Sequence, residues 1–314
     1  MKFVRSVPLA ISGLSLALVA LGNLLLVHGS VFRYICGILS VIILIIFALK
    51  LFLDSPHAKA ELKTPAPLSV LPTATMALML LSTYIRPHAG SFAAVLWYAA
   101  VATHVCIMLL FFKRFIIGFK IGNVYPSWFV AFVGIVTVSV TAPAMGAREI
   151  GQAAFYIGFV LYFIALARIV YRKTRPTFVI MPLRLTTAIF TAPMSLLIVG
   201  YFSSFSKWYF SSPYNDLNTN LIYFMLTVAV LSYIYVTVKM LTTFLKVKFY
   251  PTYAAFTFPY VISATAFRLG NNFLSAQGFD FLAPLATVSE WFAIAIVLYV
   301  LLHYIRFFRF VLKF

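Results

Sequence analysis

The chain has 314 residues, 63% of them hydrophobic and 10% charged, against about 45–50% apolar and ~25% charged in an ordinary soluble domain. That composition excludes a soluble globular protein and points to a polytopic membrane protein. With only two cysteines, no Cys/His set at metal-ligand spacing and no phosphate-binding loop, neither a metal, a cofactor, enzymatic catalysis nor a nucleotide-driven pump is expected.

Ten apolar stretches follow one another along the chain. The first, 6–28, starts beside Lys2 and Arg5 and contains Pro8, Ser12 and Gly13. It lacks a small-residue cleavage site and runs almost at once into the second stretch, so it reads as a retained span, not a signal peptide. The second, 32–53, carries VIILIIFALKLFL; the third, 67–86, carries Pro72 with Thr73, Ala74 and Thr75. In the fourth, 91–113, His104 has no acid nearby and reads as a hydrogen-bonded core histidine. The fifth, 125–145, has Pro126 and Pro143 with Ser139, Thr141 and Ala142, and the sixth is 151–171. The seventh, 177–203, contains Pro182, Arg184, Thr191 and Pro193; the eighth is 217–240. The ninth, 250–268, reads through AAFTFPYVISATAF with Pro251 and Pro259, and the tenth, 282–304, ends in IAIVLYVLL. Cys36 and Cys106 fall within spans and read as small core residues.

The charges support an even number of crossings. In a ten-span arrangement, 18 of the 24 basic residues fall on one side, while only Arg33, Arg86, Arg148, Lys207 and Arg268 fall on the other and Arg184 lies within the seventh span. The excess of Lys and Arg marks the cytoplasmic face, which puts both termini in the cytoplasm. The net charge of +18 is thus an orientation signal and a match to anionic headgroups, not a nucleic-acid-binding surface.

Prolines recur in the odd spans at 8, 72, 143, 193 and 259, whereas the even spans carry none past their first turn. A proline within a helix removes a backbone donor and crowds the carbonyl four residues back. Opened backbone at membrane depth is tolerated only against protein or a water-filled cavity. The alternation therefore predicts an all-α fold, ten transmembrane helices as five helical hairpins around a central pore, forming a single transmembrane domain over residues 1–314 with the bent odd spans inside. On this reading Pro8, Pro72, Pro143, Pro193 and Pro259 are helix kinks lining the pore. The small residues of the odd spans fit the same arrangement, and they equally fit close helix packing.

Six acidic residues are present, none near the middle of an odd span, so the membrane core offers no carboxylate for a proton relay or for cation binding. Anions or neutral solutes are the expected cargo, stabilised by hydroxyls, backbone N–H groups and a positive mouth. Arg184 either attracts anions at the cytoplasmic vestibule or snorkels to the interface. Residues 255, 258, 262 and 265 share a helix face by three-and-four spacing. A ring there could gate a narrow lumen by blocking and dewetting it. Among 33 phenylalanines, ordinary packing explains Phe258 as well.

Four stretches, VPLAISGLSLALVALGNL (7–24), PSWFVAFVG (126–134), IFTAPMSLLIVGY (189–201) and AAFTFPYVISATAF (254–267), resemble the tellurite-resistance/dicarboxylate transporter family. This TehA-like family is related to plant slow anion channels and to fungal malate and sulfite transporters. The resemblance implies ten helices as five hairpins around a pore, a homotrimer with one pore per subunit, and a ninth-helix phenylalanine plugging the pore. That gate matches Phe258, with Phe256 as the alternative register. Ala131 stands where many relatives have a second proline, which implies a straighter fifth helix there. The expected function is passive passage of small inorganic or organic anions through a plasma-membrane channel. The alternative is a coupled carrier or exporter of C4-dicarboxylates, sulfite or tellurite-related oxyanions.

Overall fold

The computed structural model describes residues 2–175, 178–206 and 216–313. Lys207 and the expected start of the seventh span at 177 lie outside the described residues. Among those described, every regular element is a helix. Eight helical segments are long and apolar enough to cross a membrane: Ile11–His28, Ser30–Leu53, Pro65–Ile85, Gly90–Ile117, Arg148–Lys173, Met181–Phe205, Thr219–Lys246 and Ala283–Val311. The protein is a polytopic, helical membrane protein.

The fifth and ninth expected spans fall outside that set for different reasons. The ninth has a 3-10 turn, Pro251–Phe256, followed by a helix, Thr257–Ser275. Its second half carries Arg268, Asn271 and Asn272, which lower its hydropathy. The fifth is broken into Trp128–Val133, Val136–Thr141 and a 3-10 turn, Ala142–Met145. Helix continues through Ala131, but the straighter course expected there ends three residues later, at Gly134 and Ile135. Across the break the Thr137 and Val138 amides donate to Gly134 O at 3.0 Å and Ile135 O at 2.9 Å, the three-residue pattern of a tightened turn. A Cβ at position 134 would meet Met76 Sδ at 3.0 Å and His104 Cε1 at 3.1 Å, so glycine lets the third and fourth spans close onto this turn.

The prolines expected as kinks sit at joints between helical pieces. Among the described residues none lies in the middle of an unbroken α-helix. Pro72 opens the helix Pro72–Ile85, Pro193 is second in Ala192–Phe205, and Pro259 is third in Thr257–Ser275. Pro8 lies in the turn before Ile11–Leu24, and Pro143 lies in the 3-10 turn closing the fifth span. The first four backbone donors of a helix have no intrahelical partner, so a proline there sacrifices little. In the third, seventh and ninth spans a short helical lead-in precedes the main helix, and the proline marks the joint.

Each odd segment packs against the next odd one, and the ninth packs back on the first, so the five close a ring. Each even helix packs on the odd segment before it and touches the following one from outside, as the tenth does with the first. Burial follows this order. The first, third and seventh segments are 67%, 67% and 89% buried, whereas the even helices are between 22% and 33% buried. Exposed Ile35, Ile38, Ile42 and Ile45 on the second helix show what an outer helix offers to lipid.

Hydroxyls join all five contacts of the ring. Ser12 and Thr73 are 2.7 Å apart between the first and third segments, and Ser69 donates to Ser127 Oγ at 2.7 Å between the third and fifth. Ser139 donates to Gly200 O at 2.9 Å between the fifth and seventh, and Ser195 and Ser263 are 3.0 Å apart between the seventh and ninth. Thr257 reaches Gly13 O at 3.4 Å between the ninth and first. Without a hydrophobic driving force between helices in lipid, small side chains and such bonds, each worth about 1 kcal/mol, hold segments together. These serines and threonines therefore work chiefly as packing groups.

Candidate functional site

Inside the ring lies a cavity of about 350 Å³ whose lining comes from all five odd segments and from Glu61 between the second and third, and, among the described residues, from no even helix. The lead-in turns and the first turns of the main helices supply the wall, because the prolines and small residues at these joints leave space that larger side chains would fill. Gly13, Ala66, Val130, Ala192 and Ala255 are examples, one from each segment. The lining stops in each segment near an apolar side chain, Leu16, Met76, Val133, Leu196 or Phe258. The wall is apolar, and Thr73, one of its few hydroxyls, is engaged with Ser12 and with Val70 O at 2.8 Å.

The structure separates the two phenylalanines of the ninth segment. Phe258 lines the cavity and is 7% exposed, with no ring partner among the described residues. Phe256 is fully buried away from the cavity, stacked on Phe244 at 6.0 Å and packed on Tyr253 at 4.9 Å. The joint explains the difference, since Phe256 ends the 3-10 turn and Phe258 is the second residue of the following helix. Pro8, Pro193 and Pro259 line the cavity. Pro72 is buried and Pro143 half-buried, both off the cavity wall, because one caps a helix behind Val70 and Thr73 and the other closes the far end of the fifth segment.

Arg184 is exposed at the end of the short helix Met181–Arg184 and donates from Nε to Val179 O at 2.8 Å. Its neighbours Pro182, Leu183 and Thr186 face the cavity; Arg184 itself does not line it. His104 is fully buried, with Nδ1 2.9 Å from Thr75 Oγ1, as a core histidine should be. Cys36 and Cys106 are both free, the first buried and the second exposed.

At the cavity rim, sequence reasoning missed an ionic cluster. Lys50 is buried and donates to Asp54 Oδ2 at 2.7 Å and to Arg5 O at 2.8 Å, with Glu61 Oε1 3.4 Å away. Asp54 also meets His57 Nδ1 at 2.6 Å and lies 3.9 Å from Arg5 Nε. The Lys50 hydrogen bond holds the Asp54 carboxyl below its ordinary range against the opposing effect of desolvation. Both acids sit between spans, and Asp54 follows Lys50 by four residues, a signal that the sequence does carry.

Beside Phe258, which the sequence did single out, Leu16, Met76, Val133 and Leu196 were missed, although the spacing is regular: Gly13 and Leu16, Thr73 and Met76, Val130 and Val133, Pro193 and Leu196, Ala255 and Phe258. In each pair the second residue follows the first by three, one helical turn deeper.

A cavity built by alternate segments of a helical membrane protein is the setting for comparison with known proteins. The profile of the voltage-dependent anion channel family, SLAC1, matches residues 4–305. The chain belongs to the SLAC1 family. Among curated proteins none matches it. SLAC1 membership implies anion channel or transporter activity, with small anions as cargo, and this is a family of transport proteins, not of enzymes. The match agrees with the four sequence stretches that resemble TehA-like transporters and plant slow anion channels.

Proposed function

We propose that this SLAC1 member is a passive anion channel with ten transmembrane segments arranged as five hairpins around one pore, occluded by Phe258. The observation that carries the reading is the cavity: all five odd segments line it, no even helix does, and Phe258 stands where the lining ends. An apolar constriction excludes ions by dewetting and by denying them hydration, and one side chain moving aside restores a path. The apolar wall also suits weak, transient contact with an anion, and fast conduction needs binding that is loose enough to release.

The single transmembrane domain, the plasma-membrane location with both termini cytoplasmic, and the homotrimer belong to the same proposal. The lopsided basic charge supports the orientation. The family resemblance supports the trimer with one pore per subunit. Current through purified protein in planar bilayers, with chloride, nitrate, sulfite and malate as charge carriers, tests the reading. Phe258→Ala raises anion current while the protein stays assembled. A folded, assembled Phe258→Ala protein with no anion current removes the gate and the passive channel together.

A further inference from the structure

Among the described residues the cavity wall has one charged side chain, and its sign is opposite to what an anion path would recruit. Glu61 lines the rim, with its side chain 40% exposed. We propose that Glu61 sets anion access to the cavity: a fixed negative charge at the rim that slows anion access and favours singly over doubly charged anions. The inference rests on the anion-pathway reading and adds a specificity residue to it.

The arrangement of neighbouring charges supports this role. Lys50 Nζ is the nearest cation to Glu61, at 3.4 Å, but two of its donors are committed at shorter range, to Asp54 and to the Arg5 carbonyl. Asp54 already balances Lys50 at 2.7 Å and takes His57 and Arg5 as further neighbours. Lys50 is enclosed, its side chain 2% exposed, and does not line the cavity. Arg5 holds its side chain largely in solvent, at 62% exposure, where water screens it. From the remaining neighbouring turn, Arg114 reaches the Leu62 carbonyl at 3.4 Å. Of the cluster, Glu61 lines the cavity, while Lys50 is enclosed by protein and Arg5 faces water. Lys50 anchors Glu61 at the rim, and since Lys50 is already balanced by Asp54, replacing Glu61 by a neutral side chain removes one negative charge from the rim.

The charge dependence follows from Coulomb's law. A rim charge about 10 Å from a passing monoanion in a water-like medium changes local anion concentration about twofold, and a dianion feels the square of that factor, about fourfold. Salt removes both effects, since the screening length falls from about 10 Å at 0.1 M to about 3 Å at 1 M.

The test reads the field at the cavity directly. With the exposed Cys106 changed to Ser and cavity-lining Ala255 changed to Cys, the thiol is modified by a sulfonate-bearing and by an ammonium-bearing methanethiosulfonate at about 0.02 M and about 1 M salt. Glu61→Gln is expected to speed the anionic reagent and slow the cationic one by about twofold each at low salt, with both changes vanishing at high salt. Equal rates with and without the carboxylate, or changes of the same sign for both reagents, overturn the proposal. Sulfate against nitrate current, measured in the Phe258→Ala background, reads specificity. Glu61→Gln raises sulfate current more than nitrate current, and equal gains overturn the preference for monoanions. Labelling needs no conduction, so loss of current in Phe258→Ala counts against the channel reading while the labelling result still decides Glu61.

Discussion

Truncating Phe258 to Ala is the perturbation that separates a gate from a packing residue, and Phe256→Ala is its internal control. Phe258 borders an open cavity of about 350 Å³ and has no ring partner among the described residues, so its ring already lacks neighbours on one side. Its loss is expected to cost less than the ~3–5 kcal/mol of a fully packed Phe→Ala change. Phe256 is completely enclosed between Phe244 and Tyr253, and its truncation carries that full cost. The space released at 258 holds a few waters at ~30 Å³ each, enough to hydrate a constriction that was dry. A tenfold rise in anion current corresponds to only ~1.4 kcal/mol in the barrier, a modest share of what dehydrating an ion costs. Liposome efflux and bilayer current, with thermal unfolding of the same preparations, measure both quantities. Phe258→Ala should gain at least about tenfold in anion flux with a small loss of stability, and Phe256→Ala should lose stability without gaining flux. Equal flux gains in the two variants, or none in a well-folded Phe258→Ala protein, would refute the reasoning.

Gly134→Ala places a methyl against the Val130 carbonyl oxygen, and at about 3.0 and 3.1 Å from Met76 Sδ and His104 Cε1, and should lower stability by at least ~1–3 kcal/mol, read as a drop in Tm. Ser263→Ala removes the bond to Ser195 but leaves Ser195 bonded to Thr191 O at 2.8 Å, so the cost should stay near ~1 kcal/mol. Arg184→Gln is expected to change anion current by less than about twofold at physiological salt, because Arg184 is exposed and off the cavity wall. The Asp54 carboxyl is held below its unfolded value of about 3.9 by Lys50. Its contribution is complete above that unfolded value and is lost as pH falls through the folded one. An acid-unfolding curve of Asp54→Asn should be flatter below about pH 4 than that of the wild type.

Much of the architecture is local information. A helix that faces lipid on most sides must be apolar nearly all round, so 41–53 and 294–302 announce themselves as outer helices without any partner in view. Proline's missing donor likewise marks a joint from sequence alone. Which kind of joint it marks was not legible, because a mid-helix kink and a fresh helix start differ only in what the residues before it do. At Pro259 the preceding 3-10 turn decides for the start. The serines and threonines misled in a similar way. Their enrichment in odd spans is real, yet Ser12, Ser139, Ser195 and Ser263 spend their hydroxyls on the next segment of the ring. No single span reveals that choice.

By itself the sequence determined that this protein lives in a membrane, that its odd segments are the inner ones, and, through four stretches, its family. Hydropathy, proline placement and motif are properties of contiguous residues and survive without a fold. Only the tertiary structure decided that Phe258 and not Phe256 faces the cavity, that Pro72 and Pro143 stand off it, and that Glu61 lines its rim. The reason is geometric. Two residues apart on a helix point about 200° away from each other, and a cavity exists only where faces of five segments, distant in sequence, converge.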